Sequence, residues 1–251
     1  MKSKSIYAIF AGLLLLVNVN SFGQKQKPKN DSWYDDKRLH FGFSLGLNMM
    51  DFNIDPTKAT FLSDTTYLNP EVSILNPGIN IQIVSNLHIS KYFDLRFLPG
   101  VSFGQRNVRY YTILKGNPPA TDSFEATYDQ RQRVESSFLE FPLLMKYKGA
   151  RLNNVRPYII GGINYRYDLA GKRNYDNDKQ IWLRLRRSDL YYEFGAGFDF
   201  YLPYFKLSVE LKMSNGIRDV LVHDPDSGHR EYVDAIKRMQ SQIWIIAFHF
   251  E

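Results

Sequence analysis

The sequence predicts an all-β protein: an eight-stranded antiparallel transmembrane β-barrel with a filled lumen, long extracellular loops and short periplasmic turns. Three observations lead there. Eight segments alternate apolar residues with small or polar ones at the two-residue period of a strand. The links between them alternate strictly between long and short, as outer-membrane barrels require. An export signal opens the chain.

The signal comes first. Lys2 and Lys4 form its basic start, Ile6 to Val17 its apolar stretch, and Ser21-Phe22-Gly23 a small-x-small cleavage site before Gln24. The apolar stretch is too short to span a bilayer comfortably. With no cysteine anywhere, a lipoprotein anchor and disulfides are both excluded. Residues 1–23 are therefore assigned to the signal peptide, 24–38 to a polar periplasmic lead-in, and 39–251 to the barrel.

Strand one is "HFGFSLGLN". Phe41, Phe43, Leu45 and Leu47 line one side; His40, Gly42, Ser44, Gly46 and Asn48 line the other. Strand two sets Ile79, Ile81, Ile83, Leu87 and Ile89 against Asn80, Gln82, Asn86 and His88. Strand three sets Phe93, Leu95, Phe97, Val101 and Phe103 against Asp94, Arg96, Gly100, Ser102 and Gly104. Strand four sets Leu139, Phe141, Leu143, Met145 and Tyr147 against Glu140 and Lys146.

The second half repeats the scheme. Strand five sets Ile159, Ile163, Tyr165, Tyr167 and Leu169 against Gly162, Asn164, Arg166 and Asp168. Strand six runs from Leu190 to Leu202 with Glu193, Gly195, Gly197 and Asp199 on its polar side. Strand seven sets Phe205, Leu207, Val209, Leu211 and Met213 against Lys206, Ser208, Glu210, Lys212 and Ser214. Strand eight, "IWIIAFHF", ends the chain with Phe248 and Phe250 on one side and His249 on the other. Each is close to the roughly 9–11 residues that a tilted membrane strand needs.

Long links fall at 52–77, 108–134, 171–189 and 216–240; short ones fall around Lys91, across 149–156 and at Pro203-Tyr204. With an even strand count, both termini lie on the short-turn side, the periplasm. The aromatic final strand resembles the terminal signal read by barrel-assembly machinery, with Glu251 as a departure from it. A soluble lipocalin-like barrel with an apolar calyx is the alternative, but it gives no reason for every long loop to sit at one end.

The apolar rows therefore face lipid and the polar rows face inward. Arg96, Glu140, Lys146, Arg166, Asp168, Glu193, Asp199, Lys206, Glu210 and Lys212 are predicted to form an internal ion-pair network. Eight strands leave an interior that side chains fill, which argues against general porin activity and against passage of a folded protein. Net charge is +6, but Lys and Arg are interspersed with Asp and Glu, so no nucleic-acid footprint emerges.

No catalytic or phosphate-binding motif is found, and nothing calls for an enzyme or a cofactor. His223, Asp224, Asp226 and His229 in "VHDPDSGHR" carry metal-ligand chemistry, but a solvated loop with a Pro-Asp-Ser-Gly turn explains them better. His40, His88 and His249 fall on inward rows near the periplasmic ends of neighbouring strands. A pH-sensitive or metal-binding rim cluster is one expectation for them.

At "YDDKRLHFGFSLGLNMMDF", residues 34–52, the sequence resembles the PorT family of outer-membrane barrels, called SprT in gliding bacteria. The likeness extends through "FLEFPLLMKYKG", "RPYIIGGINYRYDL" and the Trp-containing last strand; a mature chain starting at Gln24 suits the Bacteroidota, where that family lives. The resemblance implies a non-enzymatic component of the type IX secretion system, which exports cargo bearing a C-terminal sorting domain and supports gliding motility. It implies partners among secretion-machinery proteins besides outer-membrane lipid, and it carries over no catalytic site. Trp33 and Tyr34 are expected at the periplasmic interface, where amphipathic rings settle. The alternative is a stand-alone structural or adhesive barrel that binds external ligands through its loops.

Overall fold

The computed structural model describes residues 28–30, 34, 37–57, 66–72, 76–114, 127–171, 183–223 and 230–251. Among these residues ten strands and one short helix follow in order: β1 (Leu39–Pro56), β2 (Thr66–Val72), β3 (Asn76–Ser90), β4 (Phe93–Phe97), β5 (Gly100–Leu114), β6 (Thr127–Lys148), β7 (Val155–Asp168), β8 (Ser188–Tyr201), β9 (Lys206–Gly216), α1 (Arg230–Asp234) and β10 (Ile236–Phe250).

Two of the wall strands are interrupted. β2 and β3 both pair with β5, through Val72↔Val108 and Ile79↔Phe103 respectively, so they take one strand's place in the wall. β4 and β5 both pair with β3 and with β6 and form another, broken at Leu98-Pro99. Pro99 has no N–H to give the ladder, yet Ile83 N–H donates to its carbonyl and Leu98 N–H donates to Pro142, so the wall stays sealed. Counted this way the ring has eight strands. It closes because β1 pairs antiparallel with both β3 (His40↔Asn86) and β10 (Ser44↔His249).

A closed ring leaves no unpaired edge, which is what a sheet in hydrocarbon requires. The short connections, at 91–92, 149–154 and 202–205, share one end of the ring with the start of β1 and the end of β10. In the second of them Asn153 takes a left-handed conformation (φ 54°), which asparagine tolerates.

The burial pattern runs opposite to that of a soluble protein. Phe41 and Ile83 are 64% and 62% exposed, while Arg96, Lys146, Arg166 and Glu210 have almost no exposure. The apolar rows form the outer wall and the charged rows fill the inside.

The strands also run on beyond the apolar wall, and there the two sides exchange character. On β1 the inward row His40, Gly42, Ser44, Gly46 and Asn48 continues as Met50, Phe52 and Ile54; the outward row ending in Leu47 and Met49 continues as Asp51, Asn53 and Asp55. On β10 the outward row Phe250, Phe248, Ile246 and Trp244 gives way to Gln242, Gln240 and Arg238. The switch falls along one paired row. Met49, Trp244 and Met213 lie side by side below it, and Asp51, Gln242 and Asn215 lie side by side above it.

Segments 52–56, 66–72, 108–114, 127–134 and 236–240, expected as loops, are strand. Where β1, β5 and β10 run on, Phe52, Val108, Tyr110, Ile236 and Met239 turn inward, because water replaces lipid outside and apolar residues must then be buried within. The result is a second core above the wall. Phe52, Val108, Tyr110, Leu183, Leu221, Tyr232, Val233, Ile236 and Met239 pack together inside the ring, with α1 supplying Tyr232 and Val233.

Candidate functional site

The interior is the part of the molecule where chemistry-bearing side chains gather, and it is layered from the short-turn end upward. Eight buried cations face eight buried carboxylates among the described inward residues, counting the terminal-residue side chain of Glu251, so the interior is balanced in charge. Most of these groups have an oppositely charged side chain within reach, the condition for tolerating burial.

The lowest layer closes the mouth. Glu251 continues the β10 ladder, its N–H and carbonyl exchanging hydrogen bonds with Lys206 at 3.0 and 2.8 Å, which turns its side chain inward after His249. Its carboxylate accepts from Arg96 at 3.0 Å, from Lys206 at 2.9 Å and from the Tyr34 hydroxyl at 2.5 Å. Burial, and then the negative charge of Glu251, push the Tyr34 phenol well above its ordinary value, so it stays a donor. Nearby, Asp94 takes His88 at 2.8 Å and Lys148 at 2.7 Å.

Above it Lys146 bonds both oxygens of Asp199 at 2.8 Å and lies over the Tyr158 ring at 3.7 Å. Arg96 reaches Glu210 at 3.3 Å, and Tyr158 donates to the same carboxylate at 3.0 Å. Tyr158 fits because Gly197 has no side chain; a Cβ there would come within 2.6 Å of the Tyr158 hydroxyl.

The central layer is built on Arg166. It donates to Glu140 at 2.7 Å, Glu193 at 3.0 Å and Ser214 at 2.8 Å. Lys212 holds the other oxygen of Glu193 at 2.9 Å, and Glu140 also accepts from Ser102 and Gln82. The last charged layer is Arg106, bonded to Ser136 and to Ser241, 3.8 Å from Asp168, and lying over Phe52 at 4.3 Å. It is the junction between the charged lumen and the apolar core above.

All ten charges predicted for the lumen are buried and enter the pairs above: Arg96, Glu140, Lys146, Arg166, Asp168, Glu193, Asp199, Lys206, Glu210 and Lys212. Asp168 sits higher, facing Arg106 and accepting from the Ala170 and Ser137 N–H groups. Arg106, Lys148 and Glu251 were missed, although parity alone would have found them by continuing each alternation past the end of its apolar row.

The histidines do not assemble as expected. His40 stacks on Tyr34, His88 bonds Asp94, and His249 Nε2 lies 3.3 Å from Glu210, an ion-pair distance. Among the described residues no three metal-ligating side chains form a group. The reason is that Arg96, Lys148 and Lys206 already occupy the carboxylates between them. His223 is exposed and contacts the Ile236 carbonyl at 2.9 Å; Asp224, Asp226 and His229 lie outside the described residues, as does Trp33. Tyr34 is not an interfacial anchor. It is buried in the mouth.

A closed ring with an apolar outer wall and a charged, fully packed interior defines a transmembrane β-barrel without an open pore. Residues 22–222 match the family described as outer membrane protein beta-barrel domain, and the chain belongs to it. It is a barrel of the bacterial outer membrane, with lipid around its wall. Among solved structures it is similar to OprG from Pseudomonas aeruginosa, with 11% identity over 84% of this chain and 93% of that one and a TM-score of 0.42. The attachment invasion locus protein Ail of Yersinia pestis, solved with the heparin analogue sucrose octasulfate, shares 12% identity over 85% and 98%, with a TM-score of 0.36. Neisserial surface protein A shares 11% over 85% and 98%, with a TM-score of 0.39. No curated protein matches the sequence.

Proposed function

We propose that this barrel is a non-enzymatic assembly or scaffold component of type IX protein secretion, and of gliding motility where the cell glides. The observation that carries the scaffold role is the interior: paired charges occupy every layer, so the barrel serves a larger machine through its wall, its rim or its loops, and not as the channel. The link to type IX secretion rests on the PorT-like segment at residues 34–52. In this reading both termini face the periplasm, the secretion partners are outer-membrane or periplasmic proteins, and no cofactor takes part.

A clean deletion tests it. Proteins with C-terminal sorting domains are measured in the medium and in the periplasm, with outer-membrane integrity checked in the same cells. Cargo retained in the periplasm of intact cells and released again on complementation is the expected result. Normal export would overturn the secretion role.

One observation favours a second reading, a stand-alone adhesive or structural barrel. The strands rise past the apolar wall with a core of their own, which makes a rigid platform for the loops above. Normal export in the deletion strain together with lost binding of cells to a surface or ligand would select it.

A further inference from the structure

The mouth at the short-turn end holds a side chain that the wall does not supply. The Tyr34 ring stacks on His40 with centroids 3.8 Å apart and planes 9° apart, and meets Tyr201 edge-on at 5.8 Å. Its hydroxyl donates to Glu251 at 2.5 Å and accepts from Lys206 Nζ at 2.6 Å. Four residues upstream, Asn30 is held as fully. Its N–H donates to Asn154 Oδ1 at 2.9 Å, its side-chain amide donates to the Tyr201 carbonyl at 3.1 Å, and its carbonyl accepts from Arg151.

These contacts come from β1, β8, β9, the chain end and the 149–154 turn. Arg151 is itself braced over the Tyr201 ring at 3.6 Å. The arrangement therefore has the parts of a recognition site: a slot between aromatic rings, a paired donor and acceptor at its base, and a rim that reads backbone and amide groups.

We propose that this mouth is a binding site for a peptide segment presenting an asparagine and a tyrosine four residues apart, and that the chain fills it in cis with its own Asn30 and Tyr34. Seated there, Tyr34 lies across the end of the charged lumen and shuts it from water. The tether raises the local concentration of the segment to about millimolar, so a free segment of the same kind competes poorly until the resident tyrosine is removed.

The chain has no cysteine, so a single reporter is clean. Ser208 is fully buried, two residues beyond Lys206 on β9; Ser208→Cys in the full mature chain, refolded in lipid, reports access from the mouth to a small cationic thiol reagent. Tyr34→Ala is expected to speed labelling roughly tenfold or more. A synthetic peptide of residues 24–38 should slow it again, and the same peptide with alanine for its tyrosine should not.

Unchanged labelling in a Tyr34→Ala barrel that keeps its heat-modifiable migration would overturn the proposal. So would faster labelling that the peptide fails to reverse. If Tyr34→Ala does not fold, Tyr34→Phe keeps the ring and removes the hydroxyl, and Asn30→Ala removes the rim contacts. Faster labelling in both, reversed by the peptide, supports the site; parental rates in both overturn it.

Discussion

Arg166 and Met239 are both fully buried on inward rows of one barrel wall, and opposite physics holds them. Around Arg166 the outside is lipid. Apolar residues lose nothing by facing it, so they leave the interior to groups that lipid would reject, and those groups are stable only as a closed set of pairs. Around Met239 the outside is water, and the hydrophobic effect drives the apolar row back inside. One alternation therefore serves two solvents, with its sides exchanged where lipid ends. The comparison also says how each region fails. The lower core fails when one partner of a pair is removed, and the upper core fails when volume is removed.

The sharpest way to break the comparison is Arg166→Met. It leaves Glu140 and Glu193 buried without their shared cation, and a cost of about 3–5 kcal/mol is expected, read as a lowered urea midpoint of the refolded barrel in lipid. In the upper core Met239→Ala is expected to cost about 2–4 kcal/mol through the cavity it leaves. Its effect should be local: faster hydrogen exchange across residues 217–241, with the urea midpoint of the wall little changed. Equal responses of both regions to both substitutions would mean that the two cores unfold as one.

The boundary itself is the next target. Leu45 lies mid-wall between Phe248 and Ile81, and Leu45→Arg is expected to destabilise by roughly 2–4 kcal/mol. Asn53→Arg, on the same outward row of the same strand but above the switch, should stay within about 0.5 kcal/mol. Equal penalties would place lipid against both residues and remove the proposed edge. The smallest effect is expected for Tyr110→Phe, which deletes the hydrogen bond from its hydroxyl to the Tyr232 carbonyl at 3.1 Å. About 1 kcal/mol is expected, again confined to exchange in the upper region.

Much of this could be read from residue order. A period of two is a local property, and it assigned sides correctly along every wall strand, including inward Lys206, Glu210 and Lys212 against outward Leu207, Val209 and Leu211 on β9. Strand count and the alternation of long and short links are local as well. Strand length is the exception, and in one consistent way: where the outward row stops being apolar, at Asp51 or Gln242, the pattern predicts a strand end. The pattern does not stop there. Its polarity inverts, and a hydrophobicity pattern has no mark that separates inversion from termination until the partner strands are seen to continue.

Which charge meets which, by contrast, belongs to the tertiary structure. That Arg166 bridges Glu140 and Glu193, or that Arg96 joins Glu210 to Glu251, depends on the shear of the closed ring, which no single strand encodes. The same holds for the rim histidines. They are inward and close to the mouth as their parity requires, yet neighbouring lysines and arginines take the carboxylates that a metal site would need. Tyr34 is the plainest case. No periodicity places a residue that precedes the first strand, and only closure of the ring brings His40, Tyr201, Lys206 and Glu251 round it. The alternation determined which side of each strand avoids water; the closed geometry decided what those sides meet, because contacts across a barrel are set by how strands from distant parts of the chain align.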